Sequence, residues 1–155
     1  MGTWGLGPFD NDTAADWAAG LDEAAPQQRE SVVREALTSA IEAEDDLDGD
    51  DGMVAIAAAA VVASRLPGGP EIDHNYGPDV ATVTNLRPDA DLRALAARAL
   101  ERTCAEGSEW RELWEEADEY DNVVQALAPI AAALREGGDE TSAKQARWRD
   151  RTGRG

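Results

Sequence analysis

The chain has 155 residues, with 32 acidic against 14 basic side chains and a formal net charge of −18. This length fits one domain that buries roughly 70% of its unfolded surface. Nucleic acid is a poor direct partner for such a charge, because phosphate binding needs clustered Lys and Arg. One cysteine, Cys104, excludes an internal disulfide and is typical of a reducing compartment.

The chain offers no targeting or membrane signal. Its first residues lack the basic patch and apolar stretch of a secretory signal peptide. The longest apolar run, Met53 to Ala63, is mostly alanine, whereas about 20 apolar residues are needed to cross a bilayer. We therefore expect a cytoplasmic protein without a membrane span.

Helical periodicity dominates the first half of the chain. A first helix is predicted from near Asp12, where Asp10, Asn11 and Asp12 are three possible N-caps. A second should run from about 27 to 44, with Pro26 in its first turn. A third, from about 51 to 66, is apolar on nearly every side, which predicts a central helix surrounded by the others.

The second half continues the helical pattern after a loop. A short helical turn is predicted near 79–84, and a helix from Asp91 that turns Cys104 toward the core. A sixth helix follows Ser108, and a seventh follows Asn122 and should kink at Pro129. The fold class is all-α: a compact bundle of about six or seven helices around a central Ala-rich helix.

The domain is predicted to span residues 1–136, and residues 137–155 to form a flexible, disordered basic tail. The tail has five basic and three acidic residues, a net of +2, which leaves −20 on residues 1–136. Its segment 147–151 interleaves Trp148 with arginines. That pattern suits weak binding to RNA or an anionic surface, or folding back onto the acidic body.

Two segments are distinctive. The first runs from Met1 through Gly-Thr-Trp-Gly-Leu-Gly-Pro-Phe-Asp-Asn-Asp and on to Asp16-Trp17, and the second runs from Ser108 to Glu116 and contains Leu-Trp-Glu. Together they resemble a bacterial family known as domain of unknown function 4259. The resemblance covers about residues 1–134 and implies a helical fold but no activity. The candidate functional or structural signature residues are Trp4, Phe9, Asp10, Asn11, Asp12, Asp16, Trp17, Ser108, Glu109 and Trp114.

The first segment has two interpretations. Its glycines around Trp4 and Phe9 suit a clasp, in which two aromatic anchors insert into the body while Asp12 caps the first helix. Alternatively, Asp10, Asn11 and Asp12 build a ligand or partner site. A dinucleotide fingerprint is excluded, because the third glycine and a preceding strand are missing.

The acidic run from Glu44 to Gly52 resembles a calcium loop only in part. Ala55 stands at the twelfth position, where a bidentate Glu is required, so a solvated loop is favoured. One Cys and one His, His74, cannot supply a zinc site, and Ser108 has no nearby base. No catalytic residue, metal or cofactor is predicted.

The sixth helix carries both charge and aromatic residues. The spacing places four glutamates on one face of this helix: Glu109, Glu112, Glu116 and Glu119. This face is either simply solvated or a docking face for a basic partner. A third interpretation is that two of these carboxylates form a pair for acid–base catalysis. Trp110 and Trp114, one turn apart, are expected in the core.

These observations favour a non-catalytic protein-interaction module that binds a basic protein partner. An immunity-type inhibitor of a basic toxin is one form of this hypothesis. The alternative is a small ligand-binding domain or enzyme with its site at the N-terminal Gly/Trp/Asp segment. A purely structural role would predict a homo-oligomer, and the composition leaves the oligomeric state open.

Overall fold

Helix α3 (Gly49–Ser64) lies at the centre of the fold because its residues are small and apolar on all sides. Twelve of its sixteen residues are buried, and nine of those twelve are Ala, Gly or Met. Alanine combines the highest helix propensity with the smallest side chain, so neighbouring helices approach closely without steric conflict. Helices on every side of α3 pack against it.

The computed structural model describes residues 6–72 and 77–135. Within these ranges the chain is helical without β-strands, as predicted, apart from one isolated parallel bridge between Leu47 and Ser108. The other helices are α1 (Asp12–Glu23), α2 (Arg29–Ile41), α4 (Val80–Asn85), α5 (Ala90–Cys104), α6 (Glu109–Glu116) and α7 (residues 120–135). A 3-10 turn, Pro26–Gln28, leads into α2.

Helix boundaries differ from the predictions in ways that have physical causes. Helix α2 ends at Ile41, before the acidic run, and α3 begins at Gly49 because the Asp48 side chain accepts a hydrogen bond from the Asp50 N–H. Helix α7 continues without interruption through the exposed Pro129. The predicted tail and the Gly137-Gly138 helix stop lie outside the described residues.

One hydrophobic cluster joins the helices. It includes Trp110 and Trp114, which are 3% and 7% exposed, so the expectation that both belong to the core is confirmed. Their rings lie 6.2 Å apart and are tilted, and Tyr120 meets Trp110 edge-on. Cys104 is only half-buried and lies at the margin of the core instead of inside it.

Gly52 marks the closest approach of α3 to α5 and α6. A Cβ at this position would stand 2.9 Å from the Cβ of Trp110 and 3.2 Å from Cγ2 of Thr103. The first of these atoms is the rigid root of a buried side chain, so it cannot rotate away. The absence of a side chain at position 52 therefore sets the distance between α3 and α6.

Replacing Gly52 with Ala should destabilise the protein by about 1–3 kcal/mol, because a methyl group would overpack this contact. Gly20→Ala is the matched control: Gly20 also lies inside a helix, but a Cβ there meets nothing within 4 Å. It should stabilise the protein by about 0.5–1 kcal/mol through reduced backbone entropy. Urea unfolding followed by circular dichroism measures both, and equal shifts in one direction would contradict the packing argument.

Candidate functional site

We call the two distinctive segments, residues 1–17 and 108–116, the first and second signature segments. The first contains a tight turn in which the carboxylate of Asp10 accepts a hydrogen bond. The Gly7 N–H donates to Oδ2 of Asp10 at 2.9 Å, and the Asp10 N–H donates to the Gly7 carbonyl at 3.1 Å. A Cβ on Gly7 would lie 2.8 Å from that same carboxylate oxygen, so a side chain at this position would displace the Asp10 carboxylate from its hydrogen bond. Asp10 is thus a structural residue of the turn.

Asn11, and not Asp12, caps the first helix. Asn11 is extended, only 7% exposed, and its Oδ1 accepts from the Ala14 N–H at 2.7 Å. The prediction that Asp12 is the cap is wrong, because a neutral amide can occupy this buried position without the desolvation cost of a carboxylate. Asp12 and Asp16 instead lie exposed on α1. Asp12 is in the first turn, where its negative charge interacts favourably with the positive end of the helix dipole.

The aromatic residues of this segment behave as anchors where they can be seen. Phe9 is 3% exposed and belongs to the core, and Trp17 is partly buried against it. Trp4 lies outside the described residues, as does His74. Among the described residues, the burial of Phe9 is therefore the observation that supports the clasp interpretation.

The second signature segment supplies caps to two different helices. Ser108 is fully buried, and its hydroxyl accepts from the Arg111 N–H at the start of α6. Oε1 of Glu109, the next residue, accepts from the Gly49 N–H at 2.9 Å and so caps the start of α3. The Ser-Glu pair thus links the N-termini of α6 and α3.

Backbone hydrogen bonds hold the same two places together. The Leu47 N–H donates to the Gly107 carbonyl, and the Glu109 N–H donates to the Leu47 carbonyl, each at 2.8 Å. Leu47 is fully buried, although acidic residues flank it on both sides. Sequence reasoning missed this contact; the signal for it was one leucine in a run of carboxylates, which only an anchored loop would need.

The two signature segments meet in the fold around a very small cavity. Its volume is about 20 Å³, and its lining includes Leu6, Gly7 and Pro8 from the first segment and Trp110 and Trp114 from the second. Such a volume holds about one water molecule. The indole Nε1 of Trp114 is buried and has no hydrogen-bond partner within the described ranges. The meeting of the segments therefore creates a packed junction with no room for an organic ligand.

The predicted row of four glutamates on the sixth helix is not present as such. Helix α6 ends at Glu116, and Asp118 follows with a positive φ of 59°, so Glu119 lies outside the helix and accepts from the Asn122 side chain. Glu109 is turned toward Gly49. Glu109, Glu112 and Glu116 are all exposed, but only Glu112 and Glu116 of these three have no hydrogen bond to the backbone of another helix.

The largest concentration of charge lies at the end of the bundle where α3 and α6 begin. We call this surface the acidic end. Each of its carboxylates is exposed, and none forms an ion pair with a described residue; they are Glu42, Glu44, Asp45, Asp46, Asp48, Asp50, Asp51, Glu106 and Glu112. No Lys or Arg occurs between Arg34 and Arg65 to neutralise it.

Arginines near the acidic end bind backbone carbonyls. Arg102 donates to the carbonyls of Gly107 and Asp45, at 3.1 and 2.8 Å. Arg111 donates to the Cys104 carbonyl at 3.1 Å, and the Tyr120 hydroxyl donates to the same oxygen at 2.8 Å. Both arginines therefore stabilise loop and helix ends. Arg111 also forms an ion pair with Glu115 at 3.5 Å, and among the described residues neither arginine forms an ion pair with a carboxylate of the acidic end.

Asp51 shows the consequence of this crowding. Partial burial, followed by the negative charges of Asp48 and Asp50, raises the pKa of its carboxyl above the ordinary value of 3.8. Like charges held close together in this way destabilise the folded state. A cationic partner would relieve the repulsion.

The described residues contain neither a cluster of metal ligands nor a helix that could span a membrane. Residues 6–72 and 77–135 contain no group of three or more His, Cys, Asp or Glu side chains that could hold a metal ion. Helix α3 begins at Gly49, within the stretch that a calcium loop would need as irregular backbone. No helix in these ranges is long and apolar enough to cross a membrane.

These features define an all-α bundle with two linked helix N-termini and an acidic surface beside them. The model of a family described as a domain of unknown function, DUF4259, matches residues 2–126, and the chain belongs to this family. No curated protein and no solved structure matches the chain significantly. The family match spans both signature segments and ends within α7.

Replacing Glu109 with Ala should lower the free energy of unfolding by about 1–3 kcal/mol, because the Gly49 N–H would lose its acceptor at the start of a buried helix. Glu109→Gln should retain most of the stability, since an amide oxygen still accepts. Glu112→Ala, on the same helix but without a hydrogen bond, is the control and should change stability by less than about 0.5 kcal/mol. Equal losses for Glu109→Ala and Glu112→Ala in urea unfolding would refute the cap.

Asp51→Asn should raise the unfolding temperature at about pH 7 and leave it unchanged at about pH 3. A carboxyl whose pKa is raised by folding binds its proton more tightly in the folded state, so stability is lost as pH rises through the folded pKa. Below the ordinary pKa the residue is protonated in both states, and the effect disappears. Thermal melts at the two pH values provide their own control; a gain of the same size at both would contradict the charge argument.

Proposed function

We propose that this protein is a non-catalytic interaction module whose acidic end binds a basic region of a partner protein. The observation that carries the proposal is the acidic end itself: a set of exposed carboxylates without ion pairs among the described residues, which lie on two loops joined by backbone hydrogen bonds and on the first turns of α3 and α6. An inhibitor that neutralises a basic toxin, as an immunity protein does, would be one instance of this function.

The rigidity of this surface supports binding over simple solubility. The loop that carries Glu44, Asp45 and Asp46 is held at Leu47 by two backbone hydrogen bonds and by Arg102 at the Asp45 carbonyl. A preorganised set of charges loses little conformational entropy when a partner binds. Such a set also steers a cationic partner toward the site and raises its association rate at low ionic strength.

The alternative function, a ligand-binding or catalytic site at the N-terminal segment, receives less support. The carboxylate of Asp10 is bound to Gly7, and the amide of Asn11 is bound to Ala14. The cavity beside them is about 20 Å³, which is too small for a substrate. Two of the three groups on which that hypothesis depended thus bind the backbone of their own segment, and the third, Asp12, is exposed on α1.

An affinity capture with mass spectrometry tests the proposal. The bait proteins are the unmodified chain, an acidic-end variant with Glu42→Gln, Glu44→Gln, Asp45→Asn and Asp46→Asn, and a control with four exposed carboxylates neutralised elsewhere: Glu23→Gln, Glu71→Gln, Asp91→Asn and Asp121→Asn. Both variants lose the same charge, and none of the eight side chains takes part in an ion pair among the described residues.

We expect a basic protein that the unmodified chain and the control capture at low salt and that the acidic-end variant loses. Binding should weaken at least tenfold between low and physiological ionic strength, because the Debye length shortens to about 8 Å at 0.15 M. Equal capture by the two variants, or captured partners that are themselves acidic, would refute the proposed role of the acidic end.

A further inference from the structure

A second surface feature, separate from the acidic end, is an apolar groove between α5 and α7. Its volume is about 250 Å³. The wall on α5 includes Leu100, the exposed carboxylate Glu101 and Cys104, and the wall on α7 includes Val124, Leu127 and Leu134. Val124, which is 38% exposed, is the exposed large hydrophobic residue of the described chain.

The groove ends where the described chain ends. Arg135, the last described residue, lines it together with Leu134. The opposite end lies at Cys104, whose carbonyl accepts from the hydroxyl of Tyr120 at the start of α7. Helices α5 and α7 therefore run antiparallel along the groove, and Arg135, after which residues 136–155 follow in the sequence, lies at one mouth of it.

The surroundings of the groove favour an occupant that is apolar along the groove and cationic at one end. The mouth at Cys104 adjoins the acidic end, because Arg102 of α5 donates to the Asp45 carbonyl. An occupant that lies in the groove and reaches this mouth should be apolar along the groove and cationic where it meets the carboxylates. Residues 143–155 carry five basic side chains against one acidic side chain, and Trp148 is their only aromatic residue.

We propose that the groove between α5 and α7 is the docking site for this chain's own C-terminal segment, residues 137–155, with the indole of Trp148 as its apolar anchor. The distance along α7 from Arg135 back to Val124 is about 16 Å at 1.5 Å per residue. The thirteen steps from Arg135 to Trp148 can span up to roughly 43 Å. Gly137 and Gly138 permit the reversal of direction that this path requires.

Docking would remove apolar surface of both the segment and the groove from water. An indole removes about 150–250 Å² from water when buried, which covers the apolar walls, while the flanking arginines approach the acidic end. The same arginines would then compete with a basic partner for those carboxylates. This consequence rests on the proposed function, whereas the docking itself does not.

Cys104 is a built-in reporter of groove occupancy, because it is the only cysteine and lies in the wall. Burial raises the pKa of its thiol to about 11, so its reaction with a maleimide is slow and must be compared at one fixed pH. The test compares the rate of the Cys104–maleimide reaction in four proteins: the full chain, a chain ending at residue 136, and the full chain with Trp148→Ala or with Trp148→Phe.

We expect the truncation and Trp148→Ala to raise the Cys104 reaction rate on the order of tenfold, which corresponds to about 1.4 kcal/mol of docking free energy. Trp148→Phe should raise it less, and a synthetic peptide of residues 137–155 should restore protection to the truncated chain. Urea unfolding of each variant shows whether stability has changed. If the truncation proves less stable, the full-length Trp148 variants decide the outcome.

Two results would overturn the proposal. Equal rates in the full chain and in Trp148→Ala would show that the segment does not cover the groove. Protection that increases with protein concentration would show that the segment occupies the groove of a second copy. The test is independent of partner capture, so failure of the proposed function leaves its result unaffected.

A second measurement observes the segment directly. The indole N–H signal of Trp148, assigned by its loss in Trp148→Phe, should move when Val124→Lys introduces a charge into the groove. Gln125→Lys, on the neighbouring exposed position of the same helix, is the matched control and should leave that signal unchanged. Identical spectra for Val124→Lys and the unmodified chain would contradict docking at this groove.

Discussion

The hydrogen bond from the Gly49 amide to the Glu109 carboxylate connects the central helix to the segment that follows α5, and the surrounding structure is arranged around it. The first N–H groups of any helix lack acceptors within the helix, and a buried helix cannot leave them to water. Asp48 supplies one acceptor from the same loop, whereas Glu109 supplies another from sixty residues away. Satisfying the start of α3 therefore brings two distant segments together.

Close packing follows from the same junction. Since Glu109 opens α6, the bond at Gly49 places that helix against the first turns of α3, where Gly52 allows Trp110 to approach. Trp110 and Trp114 then fill the space between α3 and the N-terminal segment. Most of the candidate signature residues that the structure describes thus have structural roles: they cap helices, close a turn or fill the junction.

The same arrangement determines where the charge is displayed. The arginines next to the acidic end, Arg102 and Arg111, bind carbonyls at helix and loop ends, and the one ion pair that they form among the described residues joins Arg111 to Glu115, outside the acidic end. Leu47 anchors the backbone of the acidic loop, and the acidic side chains on both sides of it are exposed to solvent. Binding of a cationic partner to this surface would relieve the repulsion between its carboxylates. This relief is the physical basis of the proposed function.

The sequence by itself determined the helical class, the central position of α3 and the burial of both tryptophans of α6, because helical periodicity and an all-apolar alanine helix are local patterns. It also indicated the family, which the match over residues 2–126 confirms. Only the tertiary structure decided what particular residues do: that Asn11 and not Asp12 caps α1, that Glu109 caps α3 and that Leu47 anchors the acidic loop. Caps and anchors of this kind depend on which distant backbone groups are buried beside a side chain, and spacing along the chain carries no record of that proximity.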